Sequence, residues 1–112
     1  DALNVLVGKS AKDFSSASEE LEFAYRVGRI YDDMGRDNEA VQMYLLAIKL
    51  GKGSTEYYAS RAALQIGLIY ETQNKKDLAV QYYNECLGMK GHDYKDSIDQ
   101  KAKAGIARCK GT

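Results

Sequence analysis

The chain matches itself at a shift of 39 residues, and this internal repeat constrains its fold more than any other feature. The pairs that match are Ala24 and Ala63, Gly28 and Gly67, Ile30 and Ile69, Tyr31 and Tyr70, Ala40 and Ala79, Val41 and Val80, Gln42 and Gln81, Tyr44 and Tyr83. All of them keep one register across two segments, which chance does not explain. We therefore expect two copies of one structural unit, each burying its apolar face against a neighbour.

Each unit is predicted to be a pair of helices joined by a tight turn. In the first unit, apolar residues recur at helical spacing over 21–31 and again over 40–48. Gly35 lies between the two stretches, and Asn74 lies at the same place in the second unit. Glycine and asparagine best tolerate the left-handed conformation that ends a helix, so we expect a helical hairpin in each unit.

Small and large residues alternate along the predicted hairpins. Gly28 and Gly67 are expected to let the paired helix approach the backbone of the first helix. A glycine inside a helix costs roughly 0.5–1 kcal/mol relative to alanine, so its recurrence at one register indicates a steric need. The wedge that opens farther along is expected to be filled by tyrosines, namely Tyr31, Tyr44, Tyr70 and Tyr83.

These spacings resemble those of the tetratricopeptide repeat (TPR) family. The first unit reads Ala24-x2-Val27-Gly28-x2-Tyr31, x8-Ala40-x3-Tyr44-x2-Ala47, and the second unit repeats it with Ala63, Ile66, Gly67, Tyr70, Ala79, Tyr83 and Cys86. The usual proline after the second helix is missing, and the period is 39 residues instead of about 34. The longer elbows between units are similar to those of bacterial cell-envelope TPR proteins.

The resemblance implies an all-α fold, a right-handed TPR-like helical solenoid made of two helix-turn-helix repeats and a C-terminal capping helix. At 112 residues the chain is expected to form one domain. Its parts are expected at about 18–50 for repeat 1, 55–89 for repeat 2, 94–110 for the capping helix, and 1–15 for the tail of a preceding repeat and its elbow.

Composition narrows the classes of partner. Sixteen basic residues balance sixteen acidic ones, so the chain lacks the basic excess of a nucleic-acid-binding domain. No run of 18 apolar residues encodes a membrane span. The chain begins at Asp1 without an initiator methionine or a signal peptide, so we expect a segment of a longer protein. Proteins or peptides are therefore the expected partners.

The step Gly8-Lys9-Ser10 resembles the end of a phosphate-binding loop. That loop needs a glycine five residues before the Gly-Lys pair, and Leu3 occupies this position. Similar segments recur at 50–54 and 87–91, each followed by an acidic and an aromatic residue. We therefore interpret all three as elbows between repeats and expect no nucleotide cofactor.

No arrangement of residues predicts catalysis or metal binding. His92 is the only histidine, and no second ligand lies at metal-binding spacing from it. Cys86 corresponds to Ala47 in the first unit, which predicts buried packing, and no histidine accompanies Cys109 to activate its thiol. Two cysteines are too few for a disulfide framework, although a single pair stays open. The chain is therefore expected not to be an enzyme and to need no cofactor.

The resemblance also implies where a partner would bind. In TPR-like stacks the first helices line a concave groove that accepts peptides. By register, the groove is expected to contain Tyr25, Arg29, Asp32, Arg61, Leu64, Leu68 and Glu71, with Glu22, Asp33, Thr72, Asp99, Ala102, Lys103 and Ile106 around them. An apolar middle between charges of both signs suits an extended or helical peptide held by one or two apolar anchors.

Three functions stay open at this point. The first is a non-catalytic protein–protein interaction module that binds a peptide segment in the groove. The second is self-association, as a scaffold segment in a homo-oligomer. The third is a regulatory domain attached to an enzyme that lies outside this sequence.

Overall fold

The computed structural model describes residues 17–51, 58–89 and 95–111, which form five helices and no strand. The helices are α1 (Ala17–Asp33), α2 (Asp37–Gly51), α3 (Tyr58–Thr72), α4 (Lys76–Gly88) and α5 (Lys95–Cys109). The expected all-α architecture of two hairpins and a terminal helix is confirmed. The tail predicted at 1–15, the Gly8-Lys9-Ser10 step and His92 lie outside the described residues.

Both hairpins turn in the same way. Gly35 and Asn74 adopt positive φ angles of 76° and 60°, which confirms the prediction of left-handed helix ends. The amide of Arg36 donates to the carbonyl of Tyr31 at 2.9 Å, and the amide of Lys75 donates to Tyr70 at 2.8 Å. These bonds span the last turn of α1 and α3 and satisfy carbonyls that the helix itself leaves without a donor.

A tyrosine ring of the second helix lies directly on the glycine of the first helix. A Cβ atom built on Gly28 would lie 2.7 Å from ring carbons of Tyr44, and one on Gly67 would lie 2.5 Å from Tyr83. Both tyrosines are fully buried. The glycines therefore make room for these rings, whereas the sequence analysis had placed all the rings farther along the hairpin.

The remaining two tyrosines of the predicted wedge have another environment. Tyr31 and Tyr70 are only half-buried and pack at the edge of the core. Their rings lie under cations, with the guanidinium of Arg36 at 5.1 Å from the Tyr31 centroid and the ammonium of Lys75 at 5.8 Å from the Tyr70 centroid. These contacts hold the residue after each left-handed turn against the preceding helix.

The hairpins stack through two apolar clusters. The first cluster joins α1 and α2 to Ala62, Ile66 and Ile69 of α3. The second joins α3 and α4 to Ile98 and Ala102 of α5. Because α3 contributes to both clusters, it is the element on which the order of the stack depends.

The terminal helix docks on the same tyrosine that the second hairpin is built around. A Cβ atom on Gly105 would lie 2.4 Å from two carbons of the Tyr83 ring, on the opposite edge from Gly67. Gly67 and Gly105 therefore contact the same ring, Gly67 from within the second hairpin and Gly105 from the next helix of the stack. Among the described helices, none is both long and apolar enough to cross a bilayer.

We predict that Gly67→Ala destabilises the fold by about 1–3 kcal/mol, because the fully buried Tyr83 ring has no space into which to move. Gly88→Ala in α4 is the matched control, since nothing lies within 4 Å of a Cβ atom there. Alanine normally stabilises a helix interior relative to glycine by roughly 0.5–1 kcal/mol. Urea unfolding followed by circular dichroism measures the free energy of unfolding of each variant and of the parent chain. Equal stability of Gly67→Ala and the parent chain would contradict the packing of Tyr83 on Gly67.

Candidate functional site

The three first helices of the stack, α1, α3 and α5, lie side by side, and α3 contacts both of its neighbours. We call their shared surface the first-helix face. The seven residues predicted to form the groove lie on α1 or α3, and four of those expected around them lie on α5, namely Asp99, Ala102, Lys103 and Ile106.

Tyr25 is at the centre of an aromatic cluster between α1 and α3. Its ring lies 5.8 Å from that of Tyr44 and 5.5 Å from that of Tyr58, measured between centroids. The guanidinium of Arg61 lies 5.3 Å from the Tyr25 centroid, and the Tyr58 hydroxyl donates to a carboxylate oxygen of Glu22 at 2.7 Å. Tyr25 itself is only 5% exposed, so it supports the face from below.

The apolar part of the face lies next to this cluster. Leu64 is 4% exposed and belongs to the second core cluster, together with Tyr83 and Ala102. Leu68 lies one turn further along α3 and is half-buried against the same cluster. Of the three apolar residues expected in the middle of the groove, Tyr25 and Leu64 are thus core residues, and Leu68 presents surface.

Two of the predicted groove carboxylates accept hydrogen bonds from the buried tyrosines. The Tyr44 hydroxyl donates to Asp32 at 3.1 Å, and the Tyr83 hydroxyl donates to Glu71 at 2.6 Å. The two bonds join residues that match at the 39-residue shift. Burial and the adjacent carboxylate raise the pKa of both phenols, so the tyrosines stay protonated and act as donors.

Arg108 of the terminal helix completes the second of these pairs. Its Nε donates to one oxygen of Glu71 at 2.7 Å and its Nη2 donates to the other at 3.0 Å. These two bonds connect α5 to α3, and together with the Tyr83 bond they lower the pKa of Glu71.

The other charged residues of α1 form looser pairs. Arg29 lies 3.9 Å from Asp33, and 41% and 75% of the two side chains are exposed. Arg26 lies 3.2 Å from Glu22, which also accepts the Tyr58 bond. The one ion pair of Arg29 among the described residues is thus long and involves an acid that is largely in water, so a ligand can compete for its guanidinium group.

The predicted residues thus separate into two groups. Arg29, Arg61 and Leu68 present surface, whereas Tyr25, Asp32, Leu64 and Glu71 are held in the core or in internal hydrogen bonds. Two residues that organise the face were not predicted for it, Tyr58 and Arg108. Tyr58 is the first residue of α3, and its partner Glu22 lies on α1. Arg108 lies 37 residues beyond its partner Glu71, so no local sequence pattern predicts either hydrogen bond.

The described residues include no group of three or more His, Cys, Asp and Glu side chains that could hold a metal ion. Cys86 is buried and Cys109 is half-buried, and both are free thiols. Burial raises the pKa of the Cys109 thiol, which keeps it in its unreactive protonated form.

We predict that Glu71 makes the fold sensitive to acid. Its pKa is lowered in the folded state, so its contribution to stability is complete above the ordinary carboxyl pKa of about 4.3 and is lost as the pH falls through the lowered value. Glu71→Gln should reduce the free energy of unfolding at pH 7 by about 1 kcal/mol, a small effect because Arg108 is half exposed.

The measurement is urea unfolding of both proteins at pH 7 and near pH 3. The difference between them should shrink at the lower pH, because the unfolded parent chain takes up a proton at Glu71 below the ordinary carboxyl pKa, whereas the lowered pKa of the folded state opposes that uptake. Glu85→Gln, at an exposed position of α4, is the control and should leave stability unchanged at both pH values. A difference that is as large at pH 3 as at pH 7 would contradict the charge-assisted bond.

Comparison with known proteins identifies the repeat. The sequence model of the tetratricopeptide repeat matches residues 21–50 and 60–93, which together are more than half of the chain. The two matches begin 39 residues apart and cover both hairpins. A search of the curated proteins finds no significant match. The matched repeats and the stacked helical hairpins lead to one conclusion: the chain belongs to the tetratricopeptide repeat family.

Proposed function

We propose that this chain is a non-catalytic interaction module that binds a peptide segment of another protein on its first-helix face. Tetratricopeptide repeats generally mediate protein–protein interactions, and they do so through extended surfaces that the stacked hairpins create. A peptide that lies across α1 and α3 would contact the residues that present surface on those two helices.

The observation that carries the proposal is the combination of Leu68 with Arg29 and Arg61. Leu68 offers an apolar contact that is not fully buried, and the two arginines offer guanidinium groups with several donors each. Beneath them, the Tyr25 cluster fixes the positions of α1 and α3. A pre-formed surface reduces the entropic cost of binding a flexible peptide.

Internal bonds determine which polar groups are left for a ligand. Asp32 and Glu71 accept from Tyr44 and Tyr83 at 3.1 and 2.6 Å, so a ligand would have to displace buried tyrosine donors to use them fully. Arg29 has only a loose contact with an exposed acid. The proposed contacts of a peptide are therefore its apolar side chain on Leu68 and its carbonyl or carboxylate oxygens on Arg29 and Arg61.

A random-sequence peptide display library selected on the immobilised chain tests this function. We predict that selected peptides bind the parent chain and lose affinity about tenfold or more for Leu68→Ala/Arg61→Ala, as expected when an apolar and a cationic contact are removed together. Fluorescence polarisation with one synthesised peptide measures the affinities.

The matched control is Leu45→Ala/Arg36→Ala, which removes the same residue types elsewhere on the chain. Leu45 is an exposed residue of α2, and Arg36 lies in the turn between α1 and α2. This variant should bind the peptide like the parent chain. Failure to select any peptide, or equal loss in both variants, would argue against binding on the first-helix face, provided circular dichroism shows each variant folded.

A further inference from the structure

The chain has no net charge, but its acidic and basic residues are unevenly distributed along the stack. The first hairpin, residues 17–51, has seven acidic and four basic residues, a net charge of −3. The second hairpin, residues 58–89, has three of each and is neutral. The terminal segment, residues 95–111, has five basic and two acidic residues, a net charge of +3. One end of the molecule is therefore acidic and the other end is basic.

The gradient is sharpest along one edge. The α1–α2 turn, the α3–α4 turn and the end of α5 are neighbours, because Gln73 donates to Asp37 at 3.0 Å and Arg108 donates to Glu71 at 2.7 Å. We call residues 32–39, 71–78 and 108–110 the turn edge. Its acidic part carries Asp32, Asp33, Asp37 and Glu39 against one arginine, and its basic part carries Lys75, Lys76, Arg108 and Lys110 against Glu71 and Asp77.

Each part of the edge also exposes one large apolar side chain. Met34 is 52% exposed in the acidic part, and Leu78 is 39% exposed in the basic part. At the 39-residue shift their equivalents are Gln73 and Glu39, so packing within a repeat does not require an apolar residue at either position. An exposed apolar residue among charged side chains is typical of a contact surface with a polar rim.

Three ions of the edge, Lys76, Lys110 and Asp33, are available to a partner. Lys76 and Lys110 are exposed and have no ion-pair partner among the residues that the structure describes. Asp33 has only the 3.9 Å contact with Arg29, and three quarters of its side chain is exposed. Because the two signs lie on one edge of one molecule, the best electrostatic complement of this edge is the same edge turned end for end.

We propose that the turn edge is a self-association surface on which a second copy of the chain docks antiparallel. A two-fold axis places the acidic part of each copy, with Met34, on the basic part of its partner, with Leu78. Both charge contacts then form at once, and the assembly closes as a dimer. The residues proposed to contact a peptide, Arg29, Arg61 and Leu68, lie outside the turn edge, so the proposal does not depend on peptide binding.

Light scattering coupled to size exclusion, over a series of concentrations, tests the proposal. At low ionic strength the mass should rise from one chain to two with concentration. In about 0.5 M salt, where screening acts within roughly 5 Å, the dissociation constant should increase about tenfold or more. A mass of one chain at every concentration, or a dimer that salt does not weaken, would overturn the proposal.

Charge-reversal variants test whether the turn edge, and not another surface of the chain, forms the dimer. Asp33→Lys alone and Lys76→Glu/Lys110→Glu alone should each remain monomeric, because like charges then face each other across the two-fold axis. Mixed in equal amounts, the two variants should form a heterodimer, since the reversed acid meets the reversed base. Lys49→Glu/Lys101→Glu, which reverses two exposed lysines outside the turn edge, is the control and should dimerise like the parent chain.

The mixing experiment decides the orientation as well. Two variants that stay monomeric when mixed would overturn the antiparallel arrangement. The control must retain the parent's dissociation constant, because a general loss of lysines would otherwise explain the result. Circular dichroism of each variant establishes that the helices are intact.

Discussion

The contact between a tyrosine ring and a glycine backbone is the interaction on which the stack depends. Tyr44 lies on Gly28, and Tyr83 lies between Gly67 and Gly105. Each ring sets the separation of the two helices in its hairpin. The Tyr83 ring also sets the position of α5, because it contacts Gly105. Because the interior is close-packed, a single added methyl group at these glycines has no free space to occupy.

The same tyrosines connect the core to the surface. Their hydroxyl groups reach Asp32 and Glu71, two of the carboxylates expected to serve a ligand. A buried hydroxyl requires a partner, and these acids provide it at the end of each first helix. What is left for recognition on the first-helix face is therefore mainly cationic and apolar, while the exposed Lys76 and Lys110 and the loosely paired Asp33 lie at the turn edge. Core packing thus decides the chemistry of two surfaces.

Much of the fold was predictable because its period and its packing follow from local spacing. Matching positions over 39 residues, helical periodicity and the Gly35 and Asn74 breaks were enough to predict two hairpins and a terminal helix. The candidate site was less predictable. Register along a helix identifies which residues point towards a face, but not how far a neighbouring helix covers them. Tyr25 and Leu64 were expected to present apolar surface in the groove. Both are buried, because Tyr58 packs beside Tyr25 and α5 packs beside Leu64.

By itself, the sequence determined the repeat, the class of fold and the places where each hairpin turns, since these depend on residue types at short and regular separations. Only the tertiary structure decided that Arg108 pairs with Glu71, that the Tyr83 ring packs against two glycines, and that the acidic and basic turns lie along one edge. The physical reason is that these contacts join residues from different repeats. Their distances depend on the rotation and translation of one hairpin against the next, which the packing of whole helices sets.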